Sequence, residues 1–208
     1  MKIFADINRK EKLVLARHAF VSSVPVLMGY VSMGFVAGIL LGAKGGLLLA
    51  PIWAFLSSSM WITGTMSFAF VPEVARHSPF YAIALLTLMV NFRYAFYGFS
   101  LLARWRKVPL LMKAYLILML TDENYALEEA CRISDERKNL FYCLLLSLFN
   151  HSYWVIGVTT GAIMVCLLGM MINPDVIRSY TNGMEFAMVA LFLVIFTDQM
   201  KAFLSHGR

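Results

Sequence analysis

Charged residues in this chain come in bunches, and long apolar runs separate the bunches. Ala19 to Ala43 carries no charge. A helix over it, rising 1.5 Å per residue, covers the ~30 Å hydrocarbon core of a bilayer with some tilt. Gly45 to Pro72 is also uncharged, Pro79 to Ala103 holds Arg93 alone, and Asn139 to Pro174 holds only His151. The pattern predicts an all-α, polytopic integral membrane helix bundle. It forms a single transmembrane domain over residues 1–208, with a cytoplasmic amphipathic N-terminus at 1–18 and a cytoplasmic or interfacial segment at 104–138.

The run LLLAPIWAFLSSSMWITGTMSFAFVP, between the first and third apolar segments, departs from this simple pattern. Its middle, Ser57 to Ser59 and Thr63 to Thr65, is rich in hydroxyls and small residues. Basic residues decide how to read it. Lys2, Arg9, Lys10, Lys12 and Arg17 precede the first span, and Arg104, Arg106, Lys107 and Lys113 follow the third segment. Both clusters belong on the cytoplasmic side by the positive-inside rule. An even number of crossings then separates residue 18 from residue 104. Ala19–Ala43 and Pro79–Ala103 already supply two, so the segment between them is expected to be broken or re-entrant, its freed backbone groups satisfied inside the protein. The alternative is an ordinary span whose serines bond back to their own carbonyls.

After Lys113, AYLILMLT is too short to span before Asp122 and Glu123. Residues 122 to 138 hold six acids and three bases. Leu140 to Ile172 is long enough for one strongly tilted helix, or for a short helix breaking at Asn150-His151-Ser152 into a second. NPDVIRSYTNG is an outer loop, and Met184 to Phe203 returns inward. Glu185, Asp198 and Lys201 make that last span a weak one, to be protected by further helices of this chain or of a partner.

At 60% hydrophobic and 14% charged, the composition lies outside the soluble range of roughly half apolar and a quarter charged. The net charge of +6 flanks the spans and interleaves with no exposed aromatics, which excludes a nucleic-acid platform. Cys131, Cys143 and Cys166 are isolated, so neither a disulfide framework nor a metal site is expected. The first apolar run is far longer than the core of a cleaved signal peptide and lacks its cleavage site. The expected location is the cell membrane, multi-pass, with the N-terminus in the cytoplasm.

Four groups of residues carry candidate chemistry. Gly34, Gly38, Gly42 and Gly46 recur at intervals of four, and Gly157 and Gly161 repeat the spacing. Small residues so placed let another backbone approach closely inside lipid, where packing replaces the hydrophobic effect. The likeness of the two glycine segments hints at an internal inverted repeat. Arg93 is the sharper signal. It lies about ten residues, roughly 15 Å by helical rise, from the basic end of its segment, too deep to snorkel out. Tyr97 and Ser100 share its helical face, with Asn91 on another. Ionisable groups inside spans face the bundle interior and mark substrate or ion paths, unless Arg93 is paired structurally with Asp122, Glu123, Glu185 or Asp198. The third group is TDEN, either a helix start with Thr121 as its cap or a pair of acids, Asp122 and Glu123, that hold an ammonium or relay a proton. His151, the one histidine inside an apolar run, is a bonded helix break or a proton relay.

PVLMGYVSMGFVAGILLG, NFRYAFYGFSL, TDENYAL, WVIGVTTGA and GMEFAMVALFLVIF occur in that order between about residues 18 and 197. In this the chain resembles the large subunit of the azaleucine-resistance type branched-chain amino acid exporters, the AzlC/YgaZ family. The resemblance implies a cytoplasmic-membrane exporter of leucine, isoleucine, valine and methionine, working with a small hydrophobic AzlD-type partner subunit. Two departures stand out. Family members continue with apolar helices beyond the MEFAMVALFL segment, whereas this chain ends at Arg208. They also carry Ala-Gly-Ala-x-Gln where this chain has SSSMWITGT.

A zwitterion crossing lipid needs a cation for its carboxylate, an acid or carbonyls for its ammonium, and an apolar pocket. Arg93 is assigned the carboxylate, and Asp122 or Glu123 the ammonium or a coupled proton. Asn91, Tyr97, Ser58 and Ser59 complete the candidate substrate-binding set. With no phosphate-binding glycine loop anywhere, coupling falls to the proton-motive force or to another subunit; no cofactor is expected. Two alternatives remain: a structural subunit of another membrane complex, and an intramembrane hydrolase with Ser58 or Ser59 and His151 as a dyad. The latter lacks GxSxG and anything to fix the dyad.

Overall fold

The computed structural model describes residues 6–44, 49–60, 64–102, 105, 108–131 and 133–186, with Phe4 and short pieces of 189–201. Gly46 and Asp198 lie outside the described residues, as do the side chains of Arg93, Ser100 and Glu185. Eight α-helices are described: α1 Arg9–Lys44, α2 Ala50–Met60, α3 Gly64–Ala75, α4 Phe80–Leu102, α5 Leu110–Leu118, α6 Asp122–Ala130, α7 Glu136–Met171 and α8 Pro174–Thr181. A 3-10 turn, Met184–Phe186, follows.

Helices α1 and α7, each 36 residues long, form the central pair. At ~54 Å by helical rise each outruns the hydrocarbon core. The basic residues from Arg9 to Arg17 are therefore the first turns of α1 itself, since Lys and Arg are good helix formers. The pair runs parallel. Lys138 Nζ meets Glu11 Oε1 at 2.7 Å, and Arg137 pairs with Asp6, so both N-termini lie at one end, called here the basic end. Asp135 caps α7 by accepting from the Arg137 and Lys138 backbone N–H groups. Those bonds, Lys138 first, hold its carboxyl below the usual range. Helix α7 passes through Asn150 to Ser152 without interruption, so the one-helix alternative holds. Ser152 Oγ bonds its own Leu148 carbonyl at 2.8 Å, which leaves the backbone ladder intact.

The seam between α1 and α7 is built on glycine. An added Cβ at Gly34 would stand 3.1 Å from Val158 N, and one at Gly157 2.8 Å from Val31 O. At Gly38 it would fall on Val158 O, and at Gly161 on Phe35 O. Gly42 closes against the Val165 side chain.

Because α1 and α7 are parallel, the chain between Lys44 and Glu136 crosses back an odd number of times. Helix α4, 23 residues or ~35 Å, does so. Its end joins the basic-end core, where Leu101 and Trp105 pack with Ala19, Leu116 and Tyr142. Helices α5 and α6, 9 residues each, are far too short to span. They form a hairpin that enters and leaves at the basic end: Leu116 packs in that same core on the way in, and on the way out Cys131 Sγ lies 3.9 Å from His18 Nδ1 and Ile133 N bonds Asn139. Parity then requires α2 and α3, of 11 and 12 residues, to enter and leave at the opposite end. Consistent with that, α3 touches the Met184–Phe186 turn beyond α8, and α8 docks there through Ile177 on Ala43 and Val165. Two re-entrant hairpins thus enter the bundle from opposite ends.

The outward face of α4 exposes Leu85, Leu88, Met89, Phe92, Phe96 and Phe99. A continuous apolar face of this kind suits lipid, not water.

Candidate functional site

The α5–α6 tip and the inner end of α2 reach the middle of the bundle. Asn150 lies twelve residues past Lys138, about 18 Å along α7, and Tyr30 falls near the middle of the uncharged run of α1. At the α5–α6 tip, Thr121 is the N-cap of α6 and its hydroxyl accepts from Asn124 N at 3.2 Å. The same hydroxyl lies 2.7 Å from Tyr30 Oη, which donates to Glu123 Oε2 at 3.0 Å. Each hydroxyl has one proton, so the chain of donors runs from Asn124 N–H through Thr121 and Tyr30 to the Glu123 carboxylate. Asn124 Nδ2 donates to Met119 O at 2.5 Å, and Asn150 Nδ2 donates to Asn124 Oδ1.

Around this knot stand aromatic rings. Trp154 meets Tyr30 edge-on with centroids 5.9 Å apart, and Tyr97 of α4 stacks on Tyr125 of α6 at 4.5 Å. Tyr115 Oη lies 3.3 Å from His151 Nδ1, and the His151 ring sits beside the Ser58 and Ser59 backbone at the end of α2. One turn further along α7 opens a cavity of about 70 Å³, lined by Ala37, Leu41, Ser57, Ser58, Ser67, Phe70, Trp154 and Val158. Its walls are mainly apolar, with serine hydroxyls on the hairpin side.

The candidate residues therefore divide. Glu123 joins the knot directly, and Asp122 sits half-buried in the same first turn of α6. TDEN is thus a capped helix start, with both acids in the first turn of α6. Ser58 lines the cavity, with its hydroxyl donating to Ala54 O at 2.6 Å. His151 faces Tyr115 and not the Ser58 hydroxyl, so that pair has no dyad geometry. Tyr97 reaches the α6 side through Tyr125, whereas Asn91 keeps a buried Oδ1 with no partner on its own part of α4. Gly34, Gly38, Gly42, Gly157 and Gly161 lie in the α1–α7 seam. Among the described residues no group of three His, Cys, Asp or Glu side chains could hold a metal.

Sequence reasoning missed Tyr30, Asn124 and Asn150 as partners, and also Glu128, which is 1% exposed on α6. Tyr30 gave a faint signal as the one large polar group near the centre of the first uncharged run. Removing its hydroxyl takes the donor from Glu123 and the partner from Thr121. Tyr30→Phe is expected to lower stability by about 1 kcal/mol, read as a fall in the thermal unfolding midpoint; an unchanged midpoint would mean that water replaces the phenol.

A family model described as AzlC protein matches residues 25–168, a stretch that contains both hairpins and the glycine seam. The chain belongs to the AzlC family. Among its relatives is the branched-chain amino acid transport protein AzlC of Bacillus subtilis (strain 168), 30% identical over 199 residues, which cover 95% of this chain and 73% of the relative. A Haemophilus influenzae protein named as an uncharacterized membrane protein is 32% identical over 92% of this chain and 73% of its own length. A Helicobacter pylori (strain ATCC 700392 / 26695) protein of the same description is 30% identical over 94% and 80%. No solved structure matches. This AzlC-family chain is thus an α-helical membrane protein, and the residues gathered at the hairpin tips all fall within the matched stretch.

Proposed function

We propose that this AzlC-family protein carries branched-chain amino acids (leucine, isoleucine and valine, with methionine) out of the cytoplasm, as the large subunit of a two-component exporter whose other part is a small AzlD-type membrane protein. In this reading residues 1–208 act as one transporter domain in the cell membrane, with the basic end in the cytoplasm. The chemistry is passage and not catalysis, with no covalent step.

The observation that carries the proposal is the convergence of the α5–α6 tip and the inner end of α2 on the middle of α7, beside an apolar cavity. Half-helices entering from opposite faces leave helix ends where a substrate can meet polar groups without water, and rocking around such a site gives alternating access. Arg93, at mid-depth on α4, takes the carboxylate. The acids at the start of α6, Asp122 and Glu123, take the ammonium or a coupled proton. Ala37, Leu41, Phe70, Trp154 and Val158 receive the aliphatic side chain, and Ser58 in the same lining, with Ser59 next to it in α2, offers a polar group. The transport name of the Bacillus relative supports the substrate class.

A ligand panel tests it. The purified chain with its small partner is expected to gain thermal stability with leucine, isoleucine, valine and methionine, since ligand bound to the folded state alone stabilises it. Glycine, aspartate and lysine should do nothing. Stabilisation by lysine or aspartate, or by none of these, would overturn the substrate class.

A further inference from the structure

Asn124 and Asn150 are both about nine-tenths or more buried, at 2% and 1% exposure, and their amide orientations follow from one fixed point. The Met119 carbonyl can only accept, so Asn124 must turn Nδ2 towards it. That leaves Asn124 Oδ1 facing Asn150, which must answer with its own Nδ2. Asn150 Oδ1 is therefore an acceptor by necessity, and it has no partner. One turn towards the basic end, on the same face of α7, Ser147 is also 1% exposed and its Oγ too has no partner. A serine in a helix can satisfy its hydroxyl on its own i−4 carbonyl, as Ser152 does five residues further on; Ser147 does not. One turn the other way lies Trp154, where the apolar cavity begins.

Two orphan oxygens thus stand about one turn apart in the middle of a membrane bundle, where each unmet polar atom is costly. Asn150 Oδ1 can only accept, so it repels a carboxylate and attracts a donor, and the Ser147 hydroxyl can accept beside it. A protonated amine offers three N–H groups, and an amine held at Asn150 would place an aliphatic side chain one helical turn away, at Trp154.

We propose that Asn150 Oδ1, with Ser147 Oγ, holds the ammonium group of the transported amino acid. The proposal rests on the transport reading and narrows it: the Asp122–Glu123 pair, with Glu123 already engaged by Tyr30, is left to the coupled proton. Asn150 is a binding residue, not only a brace for α6.

The test compares leucine with 4-methylpentanoate, which keeps the carboxylate and the branched side chain but lacks the amine. Binding is measured on the full chain purified with its small membrane partner. The unmodified protein should prefer leucine by on the order of tenfold or more. Asn150→Ala should weaken leucine by a similar factor and leave 4-methylpentanoate unchanged, so that the preference collapses. Ser147→Ala leaves the asparagine pair intact, should reduce the preference in the same sense, and carries the test if Asn150→Ala does not fold. Equal weakening of both ligands would overturn the proposal in favour of a structural role. An undiminished preference in the variants would overturn it too, leaving the two oxygens to bound water. Failure of the unmodified protein to bind leucine at all is a separate result, which removes the transport reading and this proposal together.

Discussion

Gly38→Ala is expected to destabilise the protein more than any comparable methyl addition to a surface glycine, and Gly38→Leu to prevent assembly. The added Cβ falls on the Val158 carbonyl and stands 2.8 Å from Ala162 N. Both obstacles are backbone, so no side chain can rotate away and α1 itself must lift off α7. Overpacking of this kind costs about 1–3 kcal/mol, occasionally more, and here it also loosens the contacts on which lipid-embedded association depends. Gly161→Ala, pressed onto Phe35 O, should behave alike. Gly42→Ala should be milder, because its neighbours at 3.1 and 3.2 Å are Val165 side-chain atoms. Gly29 and Gly98 are the controls. An added Cβ there meets nothing within 4 Å, so alanine should be neutral or stabilise slightly through helix propensity. Thermal unfolding in detergent checks the series, and a Gly38→Ala midpoint equal to that of Gly29→Ala would refute the seam as a determinant.

Arg93→Leu is expected to assemble normally and lose roughly ten- to a hundredfold of its transport rate. Position 93 lies fourteen residues into a helix of 23, beyond snorkelling reach, where an ionised group persists only for a partner or a passing ligand. Leucine suits the lipid-embedded helix, so folding should survive. The loss reflects a charge-assisted hydrogen bond to the substrate carboxylate, ~1.5–3 kcal/mol. Arg93→Lys should recover part of the rate, since it keeps the charge without the planar fork. Full transport by Arg93→Leu would return Arg93 to a structural pairing, and loss of assembly would point to a scaffold role instead.

Much of the fold was legible because membrane helices advertise themselves. Long apolar runs marked α1, α4 and α7, and basic clusters indicated which ends lie together, from which parity favoured a serine-rich segment that turns back. The glycine spacing likewise needed only helical geometry to become a seam. Other features were not legible, for physical reasons. The depth of Asp122 and Glu123 depends on the α5–α6 hairpin folding inward, and short-range pattern around residue 122 looks the same at a membrane surface as at its centre. Asn150 looked like part of a helix break, because Asn-His-Ser is poor in helix formers. Tertiary packing overrides that propensity, and Asn150 instead spends its amide on Asn124, twenty-six residues away in sequence. Such a pairing leaves no periodic trace. Buried Glu128 was hidden in the same way, among acids that read as a solvated face.

The most direct test is efflux of labelled leucine from preloaded cells that make this chain with and without its small membrane partner. Fast efflux with both chains, little with either alone, and loss of it in Arg93→Leu is the predicted result. No efflux when both chains reach the membrane would contradict leucine export.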